Sequence, residues 1–265
     1  MRIVTLIENM TDRSGLLAEH GLSFYIESEN KKILFDCGQT AVFLKNAKQL
    51  GISITEVDAL VLSHGHYDHT GGLKYFLQEN DHAPIYLKRE ALLKKYHGER
   101  YIGIDAALLS SSERVHYIDH LTELDEGLFI VPEIKIHYPH DVHFHDMSIV
   151  DEQGRYPDTF EDELFLTLIN NGKLTIVSSC SHRGISNIIK SASDLFHLPV
   201  QRVIGGLHLK NAKTADAENI SAYFNEMNID DIFVCHCTGI DSYVILKNQC
   251  KGHVFYNQTG REIFL

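Results

Sequence analysis

The chain has 265 residues, 44% of them hydrophobic and 23% charged, with a formal net charge of −12 when histidine is counted neutral. That length and composition suit a folded protein with a full core, and the negative balance argues against a nucleic-acid partner while requiring a local positive centre, such as a metal, for any anionic substrate. The five cysteines, Cys37, Cys180, Cys235, Cys237 and Cys250, are too sparse and odd in number for a disulfide framework, which points to reduced thiols and a cytoplasmic location.

In chain order, MRIVTLIENM opens with an apolar run that Glu8 and Asn9 interrupt. It is too short for a signal-peptide core, and no later run reaches membrane-spanning length. LSFYIES and KKILFDCG read as two strands paired around Glu29 and Asn30, so mixed sheets are expected. AVFLKNAKQLG then reads as a helix. DALVLS (58–63) is a strand that leads into HGHYDHTGG and a helix-like GGLKYFLQEN.

Residues 137–163 are polar and weakly periodic, and are expected to form a long loop or lid. Within it, His137, His140, His143 and His145 read as solvated lid residues. KLTIVSS (173–179) leads to CSHRG and then ISNIIKSASDLF. QRVIGG (201–206) leads to LHLKN and a helix over TADAENISAYFNEM that Thr214 is placed to cap. DIFVCHC (231–237) leads to TG and IDSYVILKNQ. Strands alternating with helices indicate an α/β architecture, read here as a single domain over 1–265, with its site outside the carboxyl ends of the strands.

Histidines recur at those strand ends: His64, His66 and His69, then His182, His208 and His236. In extended chain, residues two apart point to the same side, so His64 and His66 can grip one ion while Asp68 and His69 turn toward a neighbour. Imidazole and carboxylate suit zinc, iron or manganese. Any one of these histidines alone would read as a hydrogen-bonded structural residue. Together they would be hard to satisfy at buried strand ends without an ion. Gly71 and Gly72 are expected to let the backbone bend before the next helix.

HGHYDH resembles the H-x-H-x-D-H motif of the metallo-β-lactamase superfamily. EHGLSFYIE, ILFDCGQT, SHGHYDHTGGL, EDELFLTL, SCSHRGI, IGGLHL and CHCTG follow in an order spanning nearly the whole chain. That series is similar to a subfamily that includes an archaeal enzyme joining a dihydropterin methyl diphosphate to a ribofuranosylaminobenzene 5′-phosphate. The resemblance implies an αβ/βα four-layer sandwich with two mixed β-sheets and metals at one edge. It implies one or two divalent ions, zinc first, with manganese or iron as alternatives. His64, His66 and His182 would bind the first ion, and Asp68, His69 and His236 the second.

Many superfamily members carry a bridging aspartate where VIGGLHLKNA here has no acid and offers His208 instead. His208 is therefore read as a metal ligand, a substrate contact or a proton donor, with substrate contact or proton transfer favoured. His66 stands where an oxygen-reducing di-iron branch has Glu, which speaks against that chemistry. Asp36 is expected behind the ligands as a carboxylate orienting a ligand histidine, and Glu19 and His20 on the substrate side. Glu161, Asp162 and Glu163 are either a solvated loop end or face the metals or an amino-bearing heterocycle, with Glu163 taken as a substrate contact. If the segment around His236 is extended, Cys235 and Cys237 point away from it into the core.

The function expected is that of a metal-dependent enzyme on a phosphorylated or diphosphorylated small molecule, with Asp68 both binding metal and orienting the nucleophile. A hydrolase would use water, whose pKa a metal brings toward about 7. A synthase would use an aryl amine and displace diphosphate from a site that excludes solvent. The alternative is a non-catalytic or redox metal-binding protein on the same fold.

Overall fold

The computed structural model describes residues 1–110 and 112–265. In chain order the regular elements begin with β1 (Arg2–Ile7), β2 (Ser23–Glu27), β3 (Lys32–Phe35), α1 (Val42–Gln49) and β4 (Ala59–Val61). Next come α2 (Tyr67–Thr70), α3 (Leu73–Glu79), β5 (Ile85–Leu87), β6 (Lys94–His97), β7 (Arg100–Tyr101) and β8 (Val115–Tyr117). The middle of the chain gives β9 (Thr122–Asp125), β10 (Leu128–Val131), β11 (Met147–Asp151), β12 (Gly154–Pro157), β13 (Phe165–Asn170) and β14 (Lys173–Ser178). The last part gives α4 (Ile185–Phe196), β15 (Val200–Gly205), α5 (Thr214–Glu226), β16 (Asp231–Val234), α6 (Ile240–Gln249), β17 (His253–Tyr256) and β18 (Glu262–Phe264).

The chain divides into two compact units. The first comprises 1–119, 144–162 and 258–265; the second comprises 120–143 and 163–257. Unit 1 holds a seven-stranded sheet in the order β18-β1-β2-β3-β4-β5-β8. Its β1–β2–β3 part is antiparallel, with Glu27 opposite Lys32 at the turn, and β3–β4–β5–β8 is parallel. Helices cross between the parallel strands, so Val4, Leu6, Leu34, Leu60, Phe43, Leu73 and Phe76 share one core. The carboxyl ends of β3 and β4 run directly into Asp36 and into Ser63–His69.

Unit 2 holds a second mixed sheet in the order β17-β16-β15-β14-β13-β10-β9. The antiparallel β13–β14 pair closes on Asn171 and Gly172, both at positive φ (50° and 71°), the geometry in which an Asn-Gly turn follows the twist of a hairpin. From β14 onward the strands are parallel and α4, α5 and α6 intervene, burying Ile188, Ile189, Ala217, Ile220, Phe224 and Leu246 against Ile176, Val203 and Ile232. The carboxyl ends of β14, β15 and β16 lead to the loops of His182, His208 and His236.

Three expectations need correcting. Beyond the two mixed sheets there is a third, four-stranded and antiparallel, in the order β12-β11-β6-β7. It takes in β11 and β12, so much of 137–163 is a paired hairpin rather than an open loop. That stretch looked unpatterned because no residue of either strand is fully buried and neither carries an apolar alternation. Thr214 is the first residue of α5 rather than its cap; the acid three positions into the helix, Asp216, reaches back to accept the Lys213 amide at 2.9 Å.

Candidate metal centre

In unit 1 the chain leaves β4, bends at His64 and Gly65, and passes through an extended His66 (φ −82°, ψ 144°) into the single helical turn α2. The His66 carbonyl accepts the Thr70 amide at 3.0 Å and the Thr70 hydroxyl at 2.9 Å, which fixes that turn. His64, His66 and His69 are thereby packed together, with ring centroids 4.6 Å apart for His64–His66 and 4.4 Å for His64–His69. All three are buried.

Asp36 organises two of these rings. Its Oδ1 accepts the Ser63 amide at 2.7 Å, and its Oδ2 accepts the Ser63 hydroxyl at 2.7 Å and lies 2.9 Å from His69 Nδ1. Ser63 Oγ in turn lies 2.8 Å from His64 Nδ1. With Nδ1 engaged in this way, Nε2 is the ring nitrogen left to act as a ligand on His64 and His69. The His69 Nε2 stands 3.7 Å from Asp68 Oδ2, and the half-exposed His20 brings its Nε2 to 3.3 Å from the same oxygen.

The electrostatics keep His64 and His66 neutral. Burial pushes His66 down to about 3. Burial, then the neighbouring His69 and His66, hold His64 well below the usual histidine value. Neutral imidazole is the form that binds a metal, and a cluster of neutral imidazoles beside a carboxylate fits a divalent ion of the zinc, iron or manganese type.

The glycines after the motif serve close approach rather than bending. Both Gly71 (φ −64°) and Gly72 (φ −72°) are right-handed. A Cβ on Gly72 would lie 2.2 Å from the Cys37 carbonyl oxygen, and one on Gly71 would lie 2.4 Å from that of Gln39. The absence of side chains lets the motif sit against the loop after β3, where the Cys37 amide donates to the His69 carbonyl at 2.7 Å.

A buried ion cluster backs the same loop. Lys95 Nζ lies 2.6 Å from Asp158 Oδ2 and 2.9 Å from Asp162 Oδ1, and Asp162 Oδ2 accepts the Gly65 amide at 2.7 Å. Gly65 sits between His64 and His66. Burial works against charge on Asp162, but Lys95 and the Gly65 amide outweigh it and hold the carboxyl below its usual range. Asp162 is thus neither solvated nor turned to a substrate.

In unit 2, Glu163 is buried, and its two oxygens accept the amides of His182 and Arg183, each at 2.7 Å. That carboxylate holds the His182 loop, a different task from the substrate contact expected of it. His182 Nδ1 lies 3.4 Å from the His143 carbonyl oxygen, and the His143 amide donates to the His182 carbonyl at 2.8 Å. The His182 and His208 rings are 4.2 Å apart, and His143 packs on His208 at 5.3 Å. His137, His140 and His145 are exposed as expected, but His143 is folded against these loops. Asp141 accepts the Ser186 amide at 2.8 Å at the start of α4.

The segment around His236 is a tight 3-10 turn over His236–Thr238, not a strand, and His236 has φ +53°. Cys237 is therefore not turned away from His236. Its Sγ and that of Cys180 lie within 4.8 Å of each other and of a His236 ring nitrogen, and Cys180 stands in the same relation to His182 and His208. The His208 amide donates to Cys237 Sγ at 3.2 Å. Burial alone would raise the Cys237 thiol, but hydrogen bonding with Cys180 and His208 holds it well below the usual value. Asp36, Ser181, His208 and His236 all take positive φ without being glycine, a strain of about 1–3 kcal/mol each that collects at the loops bearing the histidines.

Glu19 is likewise engaged at home. Its Oε1 accepts the Gln39 and Thr40 amides, both at 3.0 Å, and its Oε2 accepts the Thr40 hydroxyl at 2.6 Å. Ser63, Lys95, Asp158 and Asp141 escaped the sequence reading. Only Ser63, directly before the first histidine, had a positional signal.

A profile of the metallo-beta-lactamase superfamily matches residues 17–155, just over half the chain. An uncharacterized protein of Methanocaldococcus jannaschii is 32% identical over 260 residues, covering 95% of this chain and 97% of its own. The chain belongs to the metallo-β-lactamase superfamily. This superfamily member is also similar to the 7,8-dihydropterin-6-methyl-4-(β-D-ribofuranosyl)-aminobenzene-5′-phosphate synthase of the same organism, 30% identical over 272 residues and covering 95% of this chain and 92% of the synthase. A crystal structure of Tm1679, described as a metal-dependent hydrolase of the β-lactamase superfamily, matches with a TM-score of 0.90 and 33% identity, covering 100% of this chain and 99% of that one. The mixed α/β fold is that of the superfamily, whose members are mostly metal-dependent hydrolytic enzymes. Among the described residues, no helix is long and apolar enough to cross a membrane.

Proposed function

We propose that this metallo-β-lactamase superfamily member is a metal-dependent enzyme acting on a phosphorylated or diphosphorylated small molecule. His64, His66 and His182 hold one divalent ion, zinc by preference, and Asp68, His69 and His236 hold a second. The observation that carries this reading is the cluster of buried histidines at 64, 66 and 69, of which His64 and His66 are held neutral by burial and His64 and His69 are braced from behind by Ser63 and Asp36. When bound, such ions polarise a phosphoryl oxygen and make a nearby nucleophile easier to deprotonate.

The protein's own residues divide the remaining work. Asp68 orients the nucleophile through its outer carboxylate oxygen, beside the half-exposed His20, which is the substrate-side residue. His208 delivers a proton to the departing oxygen. Glu19 and Glu163 keep the loops in shape. A phosphorylated substrate is supported by the relative whose name is that of a synthase with a ribofuranosyl phosphate product; the net charge of −12 opposes an anion, so its binding relies on a local cation.

The test is elemental analysis followed by turnover. Purified protein contains zinc, manganese or iron and releases diphosphate from a dihydropterin methyl diphosphate. Release only with an aryl amine present identifies a synthase; release without it identifies a hydrolase. His66→Ala loses most activity and at least one equivalent of metal. Metal-free, inactive wild-type protein, or His66→Ala with full activity and metal content, refutes the proposal.

A further inference from the structure

The ligands proposed above are imidazoles and a carboxylate, and VIGGLHLKNA offers no further acid. Unit 2 carries a different anionic donor type. Cys180 Sγ, Cys237 Sγ and a His236 ring nitrogen all lie within 4.8 Å of one another, and all three residues are buried. Two ligands of one four-coordinate zinc, at about 2.0–2.3 Å from it, are separated by roughly 3.3–3.8 Å, so donors already this close need only small side-chain adjustments to share an ion.

The local backbone is built to hold this arrangement. The His236–Thr238 turn places His236 and Cys237 side by side at adjacent positions. The His208 amide points at Cys237 Sγ at 3.2 Å, an N–H that stabilises negative charge on sulfur. Gly206 lies against the same sulfur: a Cβ there would come within 2.5 Å of Cys237 Sγ. Cys235, by contrast, is buried, and among the described residues its sulfur does not share such a cluster of donor atoms.

We infer that Cys180 and Cys237 join His236 as donors to one divalent ion, a set of two sulfurs and one nitrogen that lies wholly within unit 2. Binding exchanges a thiol S–H for a sulfur–metal bond and releases the proton to solvent. A site with thiolate and imidazole donors takes zinc, cobalt or cadmium in preference to magnesium or manganese, because soft sulfur discriminates against hard cations. This inference rests on the metal-binding reading above but adds ligands that the superfamily resemblance does not supply.

The test uses the full chain stripped of metal and reloaded with cobalt(II), read by absorbance. Wild-type protein shows the visible ligand-field bands of bound cobalt together with a near-ultraviolet thiolate-to-cobalt charge-transfer band. Cys180→Ser/Cys237→Ser loses the charge-transfer band and keeps ligand-field bands from the histidine ligands, whereas Cys235→Ser keeps both. X-ray absorption of the zinc-loaded wild type shows a sulfur shell at about 2.3 Å and needs no variant to fold. Cobalt bound without the charge-transfer band, a zinc spectrum of nitrogen and oxygen alone, or a band that survives the double substitution overturns the inference and leaves the enzyme reading standing. Protein that binds no cobalt or zinc overturns both.

Discussion

Replacing Lys95 with methionine tests how the motif loop is supported. The Lys95 side chain is 1% exposed and those of Asp158 and Asp162 are 3% and 0% exposed, so the variant leaves two carboxylates buried with no counter-ion between them. Asp162 keeps the Gly65 amide and Asp158 keeps the Phe160 amide at 2.8 Å, which offsets only part of the loss. Removing one partner of a buried ion pair costs about 3–5 kcal/mol. At about 2–4 °C per kcal/mol for a chain of this size, Tm falls by about 6–20 °C.

The pH dependence carries a sign. Burial alone would push the Lys95 ammonium down, but Asp162 and then Asp158 outweigh it and hold the group above its ordinary 10.5. A raised lysine contributes stability that is fully present below its unfolded value and is lost as pH rises through the folded one. The gap between wild type and Lys95→Met is therefore full at pH 7–9 and closes above about pH 10.5. Urea denaturation of chelator-treated protein, followed by circular dichroism across that range, separates this effect from metal release. A Lys95→Met variant within about 1 kcal/mol of wild type at neutral pH, or a gap that does not close in alkali, would refute the reasoning.

Asp36→Asn keeps one acceptor but turns the other position into an amide donor facing Ser63 Oγ and His69 Nδ1. It weakens metal affinity by about 10–100-fold in chelator competition, and unchanged affinity would show that the carboxylate does not orient the ligands. Gly72→Ala drives a methyl to within 2.2 Å of the Cys37 carbonyl oxygen. It costs about 1–3 kcal/mol in urea denaturation, and a neutral result would mean that the two loops separate freely.

The fold was largely legible because its parallel part repeats one pattern. A β-branched run such as KLTIVSS ends in a polar loop and is followed by an apolar-periodic helix such as ISNIIKSASDLF, and each expected strand–loop–helix passage is present. The hairpin of β11 and β12 was not legible, because its half-buried and exposed strands have no fully buried face to mark their period. At the site, the H-x-H-x-D-H stretch announces itself through local density, and His64, His66 and His69 do pack together. Residues that act through long-range contacts left no such mark. Lys95 and Asp158 are 63 positions apart and look like ordinary surface charges until the chain buries them. The same limit misplaced Cys237, since nothing in DIFVCHC shows that the strand stops at Val234 and tightens into a turn at His236.

The most direct test of the central claim, that histidines from separate strand-end loops bind a common divalent ion, is diffraction from crystals of the zinc-loaded chain at the zinc absorption edge. The account predicts an anomalous peak at about 2.0–2.1 Å from a ring nitrogen of each of His64, His66 and His182. A peak bound elsewhere, or one lacking His182, would contradict it.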